Sequence, residues 1–336
     1  MTAPEDAVPS LPPLDRARGL ALLTAIRDVH VVVLGDVMLD HFMVGRVSRV
    51  SPEAPVPIVE FEREFSVPGG AANVAHNART LGARVTLIGV VGDDAAATDL
   101  RGLLDGRQVG ATGLIVDPTR PTTRKMRLAT TRNQQVARVD IEQTAEVEPA
   151  CDEALARAVD AAIATAHVVV VSDYLKGVVT PRVMAQAIAA AHRRGIPLLV
   201  DPKVPHLARY AGATLLTPNH HEAESATGIR IRGAADARRA SRTLAEQARV
   251  DGVLVTWGEQ GMWLSHGSVE GHLPAAAREV ADVTGAGDTV VATLGAAMAA
   301  GATTAEAARL ANEAAGIVVG RFGAATVTPK ELKDRF

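Results

Sequence analysis

Short apolar runs alternate with helical stretches along most of the sequence. Each run is rich in β-branched residues, and a polar residue or a glycine lies at its end. The runs are Val29–Leu34, Arg84–Val91, Val168–Val171, Leu198–Val200, Thr214–Leu216 and Gly252–Thr256. Buried parallel strands have this composition, and the helices between them form the crossovers. We predict an α/β fold, a doubly wound and mostly parallel sheet with helices on both faces and ligands at the carboxyl ends of the strands.

Two segments interrupt this alternation. Residues 44–61 contain three prolines among short alternating pieces, and residues 112–141 alternate Thr, Val and Arg without a helical period. Such pieces are typical of edge strands, so we predict a small β lid made of 44–61 and 112–141. Residues 1–20 are rich in proline and charge and predict a flexible tail. Residues 21–336 are then a single domain.

Cations are concentrated in the second lid segment. They are Arg120, Arg124, Lys125, Arg127, Arg132 and Arg138. A run of charge is usually a solvated face. The alternative is that these side chains lie over an anionic substrate and bind it through charge-assisted hydrogen bonds.

Composition excludes several other classes of protein. A formal net charge of −3, with 22% charged residues of both signs, provides no basic surface for nucleic acid. Cys151 is the only cysteine, so neither an internal disulfide nor a cysteine-rich metal site can form. No apolar run reaches the length of a membrane span, and residues 1–20 lack a signal-peptide core. We expect a cytoplasmic protein that binds neither nucleic acid nor membrane.

The stretch 282–289 is the strongest candidate for a site. Gly285, Ala286 and Gly287 open an apolar, alanine-rich helix, and the first amides of a helix bind anions. Asp288 lies in the same turn. Amides that stabilise charge beside a carboxylate that can take a hydroxyl proton suit phosphoryl transfer. The alternative is a capping loop in which Asp288 only satisfies backbone amides.

Polar residues follow two earlier elements. Asp36 and Asp40 come after the first strand, where they could bind substrate hydroxyls or merely cap a turn. Gly69, Gly70 and Asn73 open the next helix with small residues that let a ligand approach the backbone. Asn73 offers both a donor and an acceptor to a sugar, although it could equally be an ordinary helix residue.

Two common nucleotide motifs are missing from the sequence. There is no Gly-x-x-x-x-Gly-Lys-Ser/Thr run, and Gly285-x-Gly287 lacks the third glycine and the preceding first strand of a dinucleotide site. A Walker-type NTPase and a hydride-transfer enzyme are therefore disfavoured.

Several motifs together resemble the ribokinase-like (PfkB) carbohydrate kinase family over nearly the whole chain. They are Gly69-Gly70 with Asn73, Asn219-x-x-Glu222, Thr256 with Gly258 and Gly261, and Asp282-x-x-Gly285-Ala286-Gly287-Asp288. Others look like those of kinases that act on D-glycero-β-D-manno-heptose 7-phosphate: Gly35-Asp36-Val-Met-Leu-Asp40, Ser51 to Pro57, Arg132-Asn-Gln-Gln135, Ser172-Asp-Tyr-x-Lys176-Gly177 and Asp201-Pro-Lys203. The resemblance implies transfer of the ATP γ-phosphate to the anomeric hydroxyl, giving the 1,7-bisphosphate for nucleotide-activated heptose.

The resemblance also implies roles for individual residues. Asp288 would be the base, and the amides of Gly285, Ala286 and Gly287 the anion hole. Asn219 and Glu222 would organise Mg²⁺, with water between Glu222 and the ion, and the ATP phosphates, with Lys203 nearby. Residues expected at the nucleotide are Thr256, Gly258, Gly261 and Asn312. Residues expected at the sugar are Asp36, Asp40, Gly69, Gly70, Asn73 and Lys176, with Lys125, Arg127, Arg132 and Arg138 for its 7-phosphate. Asp282 and Thr284 match positions where relatives hold a monovalent cation such as K⁺.

Some alternatives stay open at this point. A ribose- or fructose-type sugar could replace the heptose, and Arg124 stands where a small polar residue is expected before Lys125. A catalytically silent sugar-binding regulator is a further alternative, which the presence of both Asp288 and Glu222 disfavours. Some heptose kinases are fused to a nucleotidyltransferase with a His-x-Gly-His signature. This sequence lacks that signature, so we expect the second activity to lie outside this chain. Lid segments of relatives often pair two subunits, so we expect a homodimer.

Overall fold

The computed structural model describes residues 9–132, 134–277 and 279–336. Residues 1–8 of the predicted tail lie outside the described residues. The tail prediction is wrong for residues 9–20, since Leu11 is 2% exposed and a helix begins at Arg16. The amide of Leu11 donates to the carbonyl of His272. Burial of a leucine side chain contributes about 1.5–3 kcal/mol, which is enough to fix this short segment on the core.

Within the described ranges, strands and helices alternate along the chain. The strands are β1 (His30–Gly35), β2 (Val37–Val50), β3 (Pro57–Gly70), β4 (Arg84–Val91), β5 (Gly110–Val116), β6 (Arg124–Thr130), β7 (Gln135–Ile141), β8 (Val168–Ser172), β9 (Leu198–Asp201), β10 (Leu215–Leu216), β11 (Gly252–Thr256), β12 (Met262–His266) and β13 (Val269–Leu273). The helices are α1 (Arg16–Ala25), α2 (Ala71–Thr80), α3 (Ala95–Gly106), α4 (Pro149–Ile163), α5 (Pro181–Arg194), α6 (His220–Thr227), α7 (Ala234–Ala248), α8 (Ala286–Ala299), α9 (Thr304–Val318) and α10 (Pro329–Lys333). Across the described part of the chain, no helix combines the length and the apolar character needed to cross a bilayer.

The large sheet confirms the predicted doubly wound architecture. Among the described strands its order is β13-β12-β11-β10-β9-β8-β1-β4-β5. All neighbours from β5 to β11 pair in parallel, and only β12 and β13 at one edge are antiparallel. The chain builds outward from β1 in one direction through β4 and β5, and in the other direction through β8 to β11. This reversal makes β1 the switch point, and ligands of such sheets bind at the carboxyl ends of the strands beside it.

Strand β1 is buried on both faces because helices cover the sheet on both sides. Val31 and Val33 pack into one core with α1, α2, α3, α8 and α9, whereas Val32 and Leu34 pack into the other with α4, α5, α6 and α7. Each of these four side chains is 0% exposed. This is why the strand reads as a continuous apolar run rather than an alternating one.

The small sheet has the order β3-β2-β6-β7 in the described structure. Strands β2 and β3 form a long antiparallel hairpin that leaves the large sheet after Gly35 and returns to it at α2, and β6 pairs in parallel with β2. The hairpin is longer than the predicted segment 44–61. The lid prediction is wrong for residues 112–116, because β5 pairs with β4 in the large sheet and buries Leu114. Alternating Thr and Val residues are common to any edge strand, so they could not separate the two sheets.

Candidate active site

The two glycines at the start of helix α8 differ in the physical reason for the absence of a side chain. Gly285 precedes the helix with a φ of 76°, which side chains rarely adopt, and a Cβ atom there would lie 2.7 Å from Asn73 Nδ2. A Cβ atom at Gly287 would meet nothing within 4 Å. The first turn therefore faces open space, into which an anion can approach the amides. The amide of Ala286 already donates to the carbonyl of Val283 at 3.2 Å, so that member of the predicted anion hole is engaged.

Asp288 lies in the first turn of α8 and is 4% exposed. Its Oδ2 accepts a hydrogen bond of 2.8 Å from Asn73 Nδ2, and its Oδ1 accepts one of 3.0 Å from the Tyr174 hydroxyl. Burial raises the pKa of Asp288 to about 6, although both hydrogen bonds lower it. The carboxyl group of Asp288 is thus ionised at neutral pH, and its pKa is close to the value that suits a general base.

A polar network fixes the orientation of Asn73. Asn77 donates to Asn73 Oδ1 at 3.3 Å and to the Asn73 carbonyl at 2.9 Å. Thr289 in turn donates to Asn77 Oδ1 at 2.9 Å, which closes the network between α2 and α8. Because its Oδ1 is occupied by Asn77, Asn73 presents its Nδ2 to Asp288. Asn73, expected at the sugar, thus contacts Asp288.

Asp36 accepts hydrogen bonds from the backbone of the loop after β8. It is 1% exposed, and its carboxylate accepts hydrogen bonds from the amides of Tyr174 at 2.7 Å, Lys176 at 3.0 Å and Val178 at 3.1 Å. Backbone donors thus already occupy both oxygens of Asp36, and its assignment to sugar hydroxyls stays a prediction. Burial and the neighbouring Asp173 raise the pKa of Asp36 to about 6.

Asp40 lies where the hairpin leaves the large sheet and is the better candidate for a sugar ligand. Arg127 from β6 donates to Asp40 Oδ1 at 2.5 Å and lies 5.3 Å from the centre of the Phe42 ring. A Cβ atom at Gly69 would lie 2.5 Å from Asp40 Oδ2. Gly69 is thus required by the packing of Asp40, and Gly70, with a φ of 56°, by the adjacent turn into α2. The negative charge of Asp40 raises the pKa of Asp288, which indicates that the two carboxylates are close.

Lys125 and Lys176 share the carboxylate of Glu142. Lys125 is the cross-strand neighbour of Asp40, and its Nζ lies 3.4 Å from Asp140 and 3.5 Å from Glu142. Lys176 Nζ lies 2.8 Å from Glu142. The side chains of the two lysines are only 15% and 13% exposed. They reach this point from the small sheet and from the segment after β8, which no single stretch of sequence would reveal.

The remaining predicted cations are not part of this pair. Arg138 pairs with Asp140 at 2.8 Å with a side chain that is 46% exposed, and Arg132 lies exposed in the turn after β6. The four cations predicted for the 7-phosphate are thus separated into Lys125 beside Lys176, Arg127 in an ion pair with Asp40, and the exposed Arg132 and Arg138.

The predicted phosphate residues converge at α6. Asn219 caps this helix by accepting from the Glu222 amide at 3.0 Å, and Glu222 Oε2 accepts from the Asn219 amide at 3.0 Å, which is a capping box. Glu222 Oε1 pairs with Lys203 Nζ, which also lies 5.4 Å from the centre of the Tyr174 ring. Burial would lower the pKa of Lys203, but Asp201, Glu222 and other carboxylates outweigh it and raise that pKa. Lys203 therefore carries a positive charge.

A direct metal cage is not present at this position. Over the described ranges, no three His, Cys, Asp or Glu side chains come together as a metal site. Both oxygens of Glu222 already have partners. This arrangement fits only a cation that is held mainly by substrate phosphates and water, as Mg²⁺ commonly is.

The residues predicted to bind the nucleotide lie on chain segments that contact one another. The Thr256 amide donates to the carbonyl of Pro218, next to Asn219. Gly261 has a φ of 90°, and a Cβ atom there would lie 2.0 Å from the carbonyl of Leu273. Asn312 on α9 donates to the carbonyl of Pro274 at 2.8 Å. The residues that follow β13 are therefore held between Gly261 and Asn312, whereas Gly258, with open space around it, has no such packing role.

Asp282 and Thr284 form a turn before α8. Asp282 Oδ1 accepts from the amide of Thr284 at 2.9 Å and from its hydroxyl at 2.7 Å, and Oδ2 accepts from the Gly323 amide at 2.9 Å. Burial would raise the pKa of Asp282, but these hydrogen bonds outweigh it and lower that pKa. The turn explains why these residues precede the helix, and the K⁺ assignment stays a prediction.

Sequence reasoning missed Tyr174 and Glu142 as site residues. Tyr174 comes two residues after β8, and β8 is the neighbour of β1 at the switch point. Residues at this place are expected to reach a ligand, so the strand order would have singled it out. Glu142 has no comparable signal, because its role depends on one lysine from the small sheet and one from the loop after β8.

The sequence as a whole matches known proteins over most of its length. The model of the pfkB family of carbohydrate kinases matches residues 29–331. Bifunctional protein HldE of Geobacter sulfurreducens is 46% identical over 306 residues, which are 90% of this chain and 62% of that protein. Bifunctional protein HldE of Caulobacter vibrioides is 49% identical over 304 residues, with the same shares. The chain thus spans less than two thirds of the length of these curated relatives.

Solved structures show the same fold at low sequence identity. Phosphofructokinase-2 from Escherichia coli, in complex with substrates and products, superposes with a TM-score of 0.76 at 20% identity over 91% of this chain and 97% of that one. Ribokinase from Arabidopsis thaliana, complexed with ribose and ATP, superposes with a TM-score of 0.70 at 20% identity over 91% and 98%. These likenesses confirm the ribokinase-like fold.

Proposed function

This chain belongs to the pfkB family of carbohydrate kinases, and we propose that it transfers the γ-phosphate of ATP to the anomeric hydroxyl of D-glycero-β-D-manno-heptose 7-phosphate. The product is the 1,7-bisphosphate, a precursor of nucleotide-activated heptose. The observation that carries the proposal is the position of Asp288. It is a buried carboxylate in the first turn of α8, with Asp40 and the Lys125–Lys176 pair on the sugar side and Lys203 on the phosphate side.

Asp288 takes the proton of the anomeric hydroxyl in this proposal. Each carboxylate oxygen has two lone pairs, so Asp288 can accept a bond from the sugar in addition to those from Asn73 and Tyr174. Deprotonation makes the hydroxyl oxygen the nucleophile that attacks the γ-phosphorus, and the bond to the β-phosphate oxygen breaks. The first-turn amides of α8 stabilise the charge on the phosphoryl oxygens during transfer.

Lys203 and Glu222 serve the nucleotide in this proposal. The positive charge of Lys203 attracts the phosphates of ATP, and its partner Glu222 keeps it in place. Mg²⁺ supplies charge neutralisation of the phosphates when it is bound with ATP. Glu222 would contact it only through water, since Lys203 and the Asn219 amide occupy its oxygens.

The 7-phosphate is the feature that distinguishes this substrate from ribose. A dianion in a partly closed site needs cations with fixed positions. Lys125 and Lys176 are the best placed, because Lys125 is the cross-strand neighbour of Asp40 and both side chains are largely buried around Glu142. The phosphate would replace Glu142 as their partner. Identities of 46% and 49% to the two HldE proteins, against 20% to the ribokinase and the phosphofructokinase, favour the heptose over a ribose- or fructose-type sugar.

A homodimer through the small sheet completes the proposal. Large exposed hydrophobic side chains are concentrated on this sheet and its connecting turn. Those of the described residues are Val47 at 39%, Val50 at 64%, Val56 at 52%, Phe61 at 65% and Val139 at 57%. Val139 pairs with Met126, whose strand alternation places it on the face opposite to Lys125 and Asp40. An apolar face turned away from the substrate fits a second copy of the same sheet.

The experiment that tests this function is a coupled ADP-release assay over a panel of sugars. The panel contains heptose 7-phosphate, free heptose, ribose, fructose and fructose 6-phosphate, with ³¹P NMR of the product. We expect the highest kcat/KM for heptose 7-phosphate and a new anomeric phosphate signal. A preference for ribose or fructose would assign the site to another sugar, and no turnover with any sugar would favour the silent regulator.

A further inference from the structure

The two tyrosines of the chain each donate a hydrogen bond to a buried aspartate. Tyr210 donates to Asp173 at 2.8 Å, next to the Lys203 backbone. Tyr174 donates to Asp288 at 3.0 Å. Only Tyr174 therefore contacts the carboxylate to which the mechanism assigns the proton.

The loop 173–178 that carries Tyr174 is held on both sides of its backbone. Asp36 accepts from the amides of Tyr174, Lys176 and Val178. On the carbonyl side, Arg120 donates to the carbonyl of Lys176 at 2.9 Å.

Arg120 is itself fixed by several contacts. It is 8% exposed, pairs with Asp117 at 3.0 Å, and donates to the carbonyls of Ala145 at 3.1 Å and Glu146 at 3.0 Å. A loop with donors and acceptors engaged in this way has little freedom, so the phenol of Tyr174 is preorganised towards Asp288.

We propose that Tyr174 is a positioning residue that keeps Asp288 ionised and aimed at the sugar by donating a hydrogen bond to its Oδ1. A hydrogen bond to the charged form of a carboxyl favours that form. Asn73 supplies the second bond, to Oδ2, so the two donors fix the plane of the carboxylate and leave one lone pair on each oxygen for the sugar hydroxyl. The inference rests on the proposed function, since it concerns the base of that reaction.

The other groups around Asp288 act in opposite directions. Burial and Asp40 raise its pKa, whereas Asn73, Tyr174 and Lys203 lower it. Asp201 is a further carboxylate near Asp288, and burial raises its own pKa well above the ordinary value. Burial and Asp288 likewise raise the pKa of Tyr174, so the phenol keeps its proton and stays a donor. Without the hydrogen bond from Tyr174, burial and Asp40 raise the pKa of Asp288 further, so more of it is protonated.

The first experiment compares the pH dependence of kcat/KM in Y174F and in Y210F, which is the matched control. Loss of one hydrogen bond to a charged carboxylate shifts its pKa up by about one unit. We expect the acid limb of Y174F to move up by about one pH unit, so that activity falls about fivefold at pH 6 and about tenfold well below it, and recovers on the alkaline plateau. Y210F should keep the wild-type acid limb. A uniform loss in Y174F with an unmoved acid limb would overturn the proposal.

The second experiment does not depend on turnover or on the folding of Y174F. In a Y210F background, incorporated 3-fluorotyrosine gives one ¹⁹F signal, from residue 174, because the chain has only two tyrosines. We expect this signal to titrate with a midpoint at the pKa of Asp288, about 6, and the inflection to disappear in D288N. A signal that is flat between about pH 5 and about pH 8 would overturn the inference even in an active kinase. Absence of kinase activity with an intact titration would instead count only against the proposed function.

Discussion

Asn73 donates a hydrogen bond of 2.8 Å to Asp288, although the two residues are 215 positions apart in the chain. The contact joins the first turns of α2 and α8, and Gly285 makes room for it because a Cβ atom there would overlap Asn73 Nδ2. The Gly-Ala-Gly-Asp turn and the Gly-Gly-Ala-Ala-Asn turn are thus parts of one structure. Its geometry leads to predictions at Gly285 and at the residues that hold the surrounding loops.

Gly285→Ala and Gly287→Ala should have different effects. A side chain at the φ of 76° of Gly285 costs about 1–2 kcal/mol and also displaces Asn73, so both stability and turnover should fall. Gly287→Ala has open space around its Cβ and should keep the wild-type melting temperature. Its methyl group faces the proposed phosphate position, so the KM for ATP should rise. Thermal unfolding and steady-state kinetics measure both effects, and equal stability losses would contradict the account.

Arg120→Ala should be among the most destabilising single changes. It leaves Asp117 buried without its cation and removes the donor from three carbonyls, and breaking a buried pair costs about 3–5 kcal/mol. Arg182→Ala is the matched control, because that side chain is 56% exposed and pairs with Asp152 and Glu153. It should cost about 0.2–1 kcal/mol. Chemical denaturation gives both free energies of unfolding, and similar values for the two variants would show that Arg120 is not a structural support.

Lys125→Ala and Lys176→Ala should each discriminate between phosphorylated and free sugar. A charge-assisted contact contributes about 1.5–3 kcal/mol, so kcat/KM for heptose 7-phosphate should fall about 10- to 100-fold while that for free heptose changes little. Arg138→Ala, an exposed member of the predicted cluster, is the control and should leave both values near wild type. Should Arg138→Ala lose more than the lysine variants, the phosphate would lie nearer the β7 edge of the small sheet.

Phe61→Glu and Val139→Glu should dissociate the proposed dimer. A charge in the centre of an apolar contact stays without a partner, and its desolvation opposes association. Val269→Glu tests a similarly exposed valine on β13 of the large sheet and should leave the assembly unchanged. Sedimentation velocity at several protein concentrations measures the mass, and a monomeric wild-type protein would rule out this interface.

The fold was largely predictable from the sequence because its signals are local. Each strand of the large sheet is a short apolar run, and each crossover helix has its own start signals, as Thr180 and Pro181 show for α5. Strand β5 was misassigned because an edge strand has the same alternation in either sheet. The burial of Leu11 was missed because it depends on contacts with β13, far away in the sequence.

The site was predictable only in part, because many of its contacts join residues that are far apart in the chain. Asp288 and Gly285 carry a local signature, and the structure gives both a matching geometry. The role of Asp36 could not be read from its position after β1, since the three amides it binds lie about 140 residues later in the chain. The pairing of Lys125 and Lys176 through Glu142 depends in the same way on the folded chain.

The most direct test of the central claim is the turnover of D288N over a range of pH. An amide cannot accept the hydroxyl proton, so kcat should fall by about 10²- to 10⁴-fold while calorimetry shows nearly unchanged binding of ATP. In the wild type, kcat/KM should fall about tenfold per unit below pH 6, because the pKa of Asp288 is about 6 and only the ionised form is active. D288N should lack this acid limb in its residual activity. Near wild-type turnover in D288N, or an unchanged acid limb, would contradict the assignment of Asp288 as the base.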